Sequence, residues 1–301
     1  MTRTHTQPDA TGLALAIGAY ALWGLLPLYI HLLDSVPALQ LLSHRVLWSL
    51  ALLVVVVVAM RRVGTIAAAA RGRTLLLLVG SALLIGINWA VYIWAVEAGH
   101  VLAASLGYFI NPLVNVALGV ALLGERLRRW QGVAILVAAL GVLVFAIGGG
   151  GEGIGISLAL ALSFGFYGLL RKIAAIDALG GLTVETLLLA PASLAWLLYN
   201  AKIGQGAFGQ SAHIDWLLVL AGPVTAIPLL LFAAAARRMP YATLGLIQYL
   251  APTLQFLEAV LILGEPVLPV HIATFALIWI GCALYAWDSL RAYRRAVAAE
   301  A

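Results

Sequence analysis

The stretch "SHRVLWSLALLVVVVVA", residues 43 to 59, ends in eight consecutive aliphatic residues, Leu52 to Ala59, and carries His44 and Arg45 just upstream. Such a run has neither the alternation of a lipid-facing barrel strand nor the polar face of a surface helix. It predicts a membrane-spanning helix, in which every backbone group is satisfied within its own segment. Extended outward, the span runs from Pro37 to Met60. Segments of similar length recur at 12–32, 74–96, 100–123, 130–148, 153–171, 183–200, 214–236, 241–263 and 269–287. A bilayer core of ~30 Å needs ~20 mostly apolar residues per helix, so the expected fold class is all-α integral membrane, with ten transmembrane helices.

Composition agrees. Of 301 residues, 64% are hydrophobic and 10% charged, and mean hydropathy is +1.06. Soluble domains carry roughly 25% charged residues. The first apolar span is too long for a signal-peptide core and no small-residue cleavage site follows it, so it is expected to stay as helix 1. Cys282 is the single cysteine, which excludes a disulfide framework and a Cys-based metal site.

The net charge of +5 does not indicate a nucleic-acid partner, because the basic residues are sorted by side. Fifteen of the 17 lie at one set of helix ends, among them Arg61, Arg62, Arg126, Arg171, Lys172, Arg237 and Arg291. The opposite loops hold Lys202, and Arg45 stands alone within a span. With short loops this bias predicts cytoplasmic termini on both sides of an even number of spans. Residues 1–11 and 289–301 are then cytoplasmic tails.

Two halves meet at the "GGGGEG" loop, Gly148 to Gly153, and share a weak repeat. "WGLL" at Trp23 parallels "YGLL" at Tyr167, and "ASLG" at Ala104 parallels "ATLG" at Ala242. Pro112, Asn115 and "LGE" at 123–125 match Pro252, Gln255 and "LGE" at 263–265 at identical spacing. Between these anchors the second copy has two extra residues. Five spans per half is an odd number, so the copies, 12–148 and 153–288, are expected to be inverted. Inverted repeats with Pro-interrupted helices at matching positions are a recurring design of secondary transporters, with the substrate near the midplane.

Arg45 lies roughly 13 Å below the outer edge of its span at ~1.5 Å per residue. A charge there costs at least ~2.5 to 3.5 kcal/mol and generally faces a cavity or a partner. Gln40, His44 and Trp48 share a helical face, with Arg45 adjacent to it. Other polar or aromatic groups reach similar depth: Asn88, Trp89 and Tyr92; Tyr108, Asn111 and Asn115; Gln248 and Gln255. Taken singly, such amides also serve as interhelical hydrogen bonds. Pro112 and Pro252 each free a carbonyl one turn earlier and are the expected hinges. Of two carboxylates in spans, Glu185 reads as a first-turn complement to the helix dipole, and Glu258, about one turn after Gln255, either lines the cavity or faces the outer interface. No H-E-x-x-H, G-x-S-x-G or P-loop is present, so no cofactor, metal or catalytic residue is expected.

"HRVLWS", "NWAVYIWAV", "ASLGYFINPLVNVALGVALLGERL", "FYGLLRK", "TVETLLLAP" and "QYLAPTLQFLEAVLILGEP" together resemble the RarD proteins, within the EamA group of the drug/metabolite transporter superfamily. The resemblance covers essentially all the spans in order. It implies an inner-membrane permease of two inverted five-helix repeats around a central cavity. It also implies export of small amphipathic metabolites or drugs, such as amino acids, and a chloramphenicol-sensitivity association. Two positions depart from the family pattern: Ala103 replaces a usual Glu, and Glu258 a usual aliphatic residue. The expectation is alternating-access transport of a small-molecule solute, with Arg45 attracting an anionic group and His44, Asn88, Asn111 and Gln255 orienting polar atoms. An intramembrane enzyme using His44 as base, and a channel or scaffold, are the alternatives.

Overall fold

The structure, a computed structural model, describes residues 10–98, 100–148, 153–262 and 268–300. Among the described residues, nine helical segments are long and apolar enough to cross a membrane. The first crossing comprises α1 (Ala10–Gly24) and α2 (Leu26–His31), which bend at Leu25, just before Pro27. Next come α3 (Ala38–Ala59), the short α4 (Val63–Ala69) that the sequence did not announce, α5 (Gly72–Glu97), α6 (Val101–Leu123) and α7 (Arg129–Gly148). The second half holds α8 (Ile154–Ile173), α9 (Ala178–Lys202), α10 (Ala212–Ala236), α11 (Tyr241–Ile247), α12 (Leu250–Leu261) and α13 (Pro269–Glu300).

The span expected at 241–263 is not one helix. It breaks at Gln248 and Tyr249 between α11 and α12. Pro252 supplies the reason: it has no N–H to give the carbonyl of Gln248, four residues back. The chain tightens instead, with Ala251 N–H donating to Gln248 O at 3.1 Å and Tyr249 N–H to Leu246 O at 3.2 Å. Pro112, by contrast, stays inside the continuous α6. The expected C-terminal tail continues α13 to Glu300. Residues 1–9 of the expected N-terminal tail, the linker at 149–152 and the second "LGE" at 263–265 lie outside the described residues.

Glu125 closes the junction between the halves, its carboxylate accepting from the N–H groups of Tyr241 at 2.5 Å and Ala242 at 2.9 Å, which begin α11. α6 packs on α8 and α11, α5 on α8 and α9, α1 on α10 and α12, α3 on α9 and α10, and α7 on α13. α3 approaches α10 closely at Gly222, where a Cβ would stand 2.5 Å from the carbonyl carbon of Trp48. The central core gathers Tyr20, Leu53, Ile85, Tyr167, Phe232 and Tyr241. A second cluster stacks Phe109, Phe145, Tyr249 and Phe275 between α6, α7 and α13. Large aliphatics such as Leu76, Leu136 and Ile147 are more than 70% exposed on the outside, the surface that acyl chains would cover.

Candidate functional site

One turn of α3 decides the geometry. Successive residues point ~100° apart on a helix, so His44 and Arg45, neighbours in sequence, face different partners. Arg45 turns toward α10 and α5. Its Nε donates to Thr225 Oγ1 at 2.8 Å, and its guanidinium carbon stands 5.6 Å from the Trp89 ring centre. Thr225 lies in α10 between Pro223 and Pro228, a helix that carries both prolines internally. The phenols of Tyr29, Tyr92 and Tyr108 lie within electrostatic reach of the same charge. Tyr92 and Tyr108 meet edge to face at 5.8 Å, and Tyr29 donates to Leu217 O at 2.5 Å. Among the described residues, no carboxylate pairs with Arg45. Its two terminal nitrogens likewise make no hydrogen bond there.

Toward the basic-loop side, a run of rings underlies this centre. Trp23 packs at 5.7 Å on Phe164 and 5.6 Å on Phe232, and Phe232 lies parallel to Tyr167 at 6.2 Å. Burial of this aromatic layer gives the polar group above it an apolar floor.

The predicted amides form a separate system. Asn88 donates to Leu160 O at 2.9 Å and Ser163 Oγ at 3.0 Å, and Asn111 to Ala161 O at 2.8 Å, so both fasten α8. Asn115 donates to Asn111 Oδ1 at 3.2 Å and to Gln248 Oε1 at 2.8 Å, which ties α6 to the break between α11 and α12. Gln255 donates to Trp23 O at 3.1 Å, joining α12 to α1. These groups bond helix to helix, where each amide satisfies a backbone or side-chain acceptor. His44, Trp48 and Gln40 face α9 instead. His44 stacks on Phe208 at 5.6 Å, Trp48 lies 6.1 Å from the same ring, and Gln40 donates to Gln205 O at 2.8 Å.

Sequence reasoning missed Thr225 and Tyr29, whose signals were the flanking prolines of "GPVTAIP" and "LPLYI". It also misread Glu185. Because α9 begins at Ala178, Glu185 sits two turns inside the helix rather than in its first turn. There it meets Arg171 of α8, one of the basic residues sorted to the helix ends, whose side chain is 1% exposed. Ser81 of α5 also donates to Glu185 Oε1. Ala103 packs into a tight spot: its methyl would lie 2.6 Å from a Cβ on Gly153, and its carbonyl accepts from Ser157 Oγ at 2.6 Å. Glu258 is buried, and neither carboxylate oxygen has a hydrogen-bond partner among the described residues. At the basic end, Asp177 caps α9 by accepting from Gly180 N–H at 2.8 Å and pairs with Arg62 at 2.6 Å. Partial burial pushes its pKa up, but the Gly180 N–H and the Arg62 charge outweigh this and hold the carboxyl below its ordinary value.

These features define an α-helical, multi-pass membrane protein with a cationic, aromatic-lined centre at membrane depth. Comparison with known proteins narrows the class. Residues 10–147 match the model of the EamA-like transporter family. The chain is 46% identical over 289 residues to an uncharacterized transporter of Pseudomonas aeruginosa, covering 94% of this chain and 96% of that one. It is 44% identical over 286 residues to the protein RarD of Escherichia coli, with 94% and 96% covered. A chloramphenicol-sensitive protein RarD of Pseudomonas aeruginosa is 36% identical over 290 residues, again covering 94% and 96%. A solved structure described as "Crystal structure of protein" superposes with a TM-score of 0.71 at 20% identity, covering 94% of this chain and 99% of that one, which supports the fold. The chain belongs to the RarD proteins of the EamA-like transporter family.

Proposed function

We propose that this chain is a secondary transporter that exports a small amphipathic solute across the inner membrane by alternating access. The observation that carries the reading is Arg45: a guanidinium in an apolar span with one side-chain hydrogen bond, one ring against it and no paired carboxylate among the described residues. An uncompensated charge at this depth favours an anionic ligand group, because the alternative is an unpaired ion in hydrocarbon. Trp89, Tyr92 and Tyr108, joined by Tyr29 and Thr225, bound the apolar and hydroxyl-bearing part of the solute. Asn88, Asn111, Asn115, Gln248 and Gln255 brace the helices that carry these residues.

The reading includes ten crossings, with α11 and α12 together forming the ninth in sequence, and two inverted repeats, 12–148 and 153–288. Helix packing supports it. Exchanging α1 with α8, α3 with α9, α5 with α10, α6 with α11 and α12, and α7 with α13 returns the principal packed pairs named above, though not the lesser contacts of α6 with α7 and α8 with α10. Both termini then lie in the cytoplasm with the basic loops. Pro112 and Pro252 are the hinge positions, and the one beside the α11–α12 break is the looser of the two. Amino acids and related carboxylate-bearing metabolites fit a cationic centre. Chloramphenicol enters the solute panel because one relative's name mentions it.

The test is solute flux in proteoliposomes with the wild-type chain, Arg45→Ala and Arg45→Lys. Saturable flux that Arg45→Ala abolishes and Arg45→Lys only weakens supports the assignment. Full flux in Arg45→Ala moves the solute site elsewhere.

A further inference from the structure

On the His44 side of α3, that helix, the last turns of α9 and the loop after α9 leave a cavity of ≈400 Å³. The loop after α9 returns across the gap. Gln40 anchors that loop, accepting from Ala207 N–H at 2.9 Å while donating to Gln205 O at 2.8 Å and Asn200 Oδ1 at 3.3 Å. The anchored loop lays Phe208 against His44 and Trp48, so three rings line one wall. Leu197 and Leu198 line the other, and Leu198 is 61% exposed at the outer surface, so the cavity opens sideways toward acyl chains.

The polar content of this space is small and specific. Among the described residues, no Lys, Arg, Asp or Glu lines it. Gln40 is committed to the loop. The His44 imidazole makes no hydrogen bond among the described residues, and Asp215, whose charge reaches it, is held by Gly209 N–H at 2.7 Å. A few-hundred-Å³ apolar cavity with one free polar group is the usual form of a small-molecule site.

We infer that this cavity between α3 and α9 is a second binding site, separate from the Arg45 centre, for a neutral planar aromatic molecule that arrives through the lipid. Its ring lies between the Phe208 and Trp48 wall and the Leu197 and Leu198 wall, and its single hydroxyl or carbonyl meets His44. Charged ligands are excluded because the lining offers no countercharge. The site does not depend on the transport reading: the helix between it and Arg45 lets one be lost without the other.

The probe is 1-naphthol, measured by equilibrium dialysis against the full chain in lipid nanodiscs, with empty nanodiscs subtracted. One saturable site per chain is expected. Leu198→Trp, at an exposed position, fills the cavity and weakens binding by about tenfold or more. His44→Phe keeps the stack but loses the imidazole nitrogen, and weakens 1-naphthol roughly fivefold while leaving naphthalene unchanged. Arg45→Ala leaves binding as it is. The inference is overturned if uptake is non-saturable, as for a cavity filled by acyl chains, or if Leu198→Trp has no effect. Loss of binding in Arg45→Ala would overturn it too, by placing the probe at the central site.

Discussion

Arg171 Nε lies 3.5 Å from Glu185 Oε1, and each side chain is 1% exposed, so α8 and α9 share an ion pair removed from water. Arg171 also donates to the carbonyls of Asp177 at 3.4 Å and Ala178 at 3.1 Å. Gly181 makes room for the guanidinium, since a Cβ there would fall 1.7 Å from Nη1. Removing one partner strands a buried charge, at about 3 to 5 kcal/mol. Glu185→Gln should therefore lower the thermal unfolding midpoint in detergent strongly. The apolar double variant Arg171→Met with Glu185→Leu should recover most of the loss. Equal midpoints for the single and double variants would show that the pair is not the source of the effect.

Arg45 and Thr225 give a test with a transport readout. A hydrogen bond to a charged group is worth roughly 1.5 to 3 kcal/mol. Thr225→Val keeps the shape but loses the acceptor, leaving Arg45 free to reorient. The half-saturating solute concentration should rise about tenfold or more, and Thr225→Ser should restore it. A similar loss in both variants would assign the effect to packing rather than to the hydroxyl.

The contact between Gly222 and Trp48 sets the spacing of α3 against α10. A methyl 2.5 Å from a backbone carbon cannot be absorbed by a side-chain rotation. Gly222→Ala should cost about 1 to 3 kcal/mol through overpacking, read as a lower unfolding midpoint, and should weaken flux by shifting Thr225 relative to Arg45. Unchanged stability and flux would mean that the helices separate freely.

Asp177 makes a pH-dependent contribution. Its carboxyl is held below its ordinary value of 3.8, so the unfolded chain takes up the proton first. The stabilisation is complete above about 3.8 and disappears as pH falls through the lower folded value. Unfolding midpoints of wild type and Asp177→Asn should differ at about pH 6 and converge below the folded value. A constant gap across that range would assign the effect to the capping geometry rather than to charge.

The spans were legible because hydrocarbon demands an unbroken apolar helix, and that demand is written locally in runs such as Leu52 to Ala59. The break at Gln248 was partly legible. Pro252 and the two extra residues of the second copy were visible, yet where the backbone parts depends on Asn115 of α6, which bonds Gln248 across the packed helices. Glu185 was misread because the start of α9 was set too late: the Asp177 cap on Gly180, three residues on, is a local signal that begins the helix at Ala178, whereas the Arg62 pair that holds Asp177 joins segments far apart in the chain.

The sequence by itself determined the membrane class, the sorting of positive charge to one side and the weak internal repeat, all of which follow from residue type and spacing. Tertiary structure decided what each buried polar group does. His44 and Arg45 are adjacent, and both are costly in an apolar span, but only the packing of α3 between α9 and α10 sends one to Phe208 and the other to Thr225. The physical reason is that a helix fixes the angle between neighbouring side chains, whereas the partner waiting at each angle comes from another part of the chain.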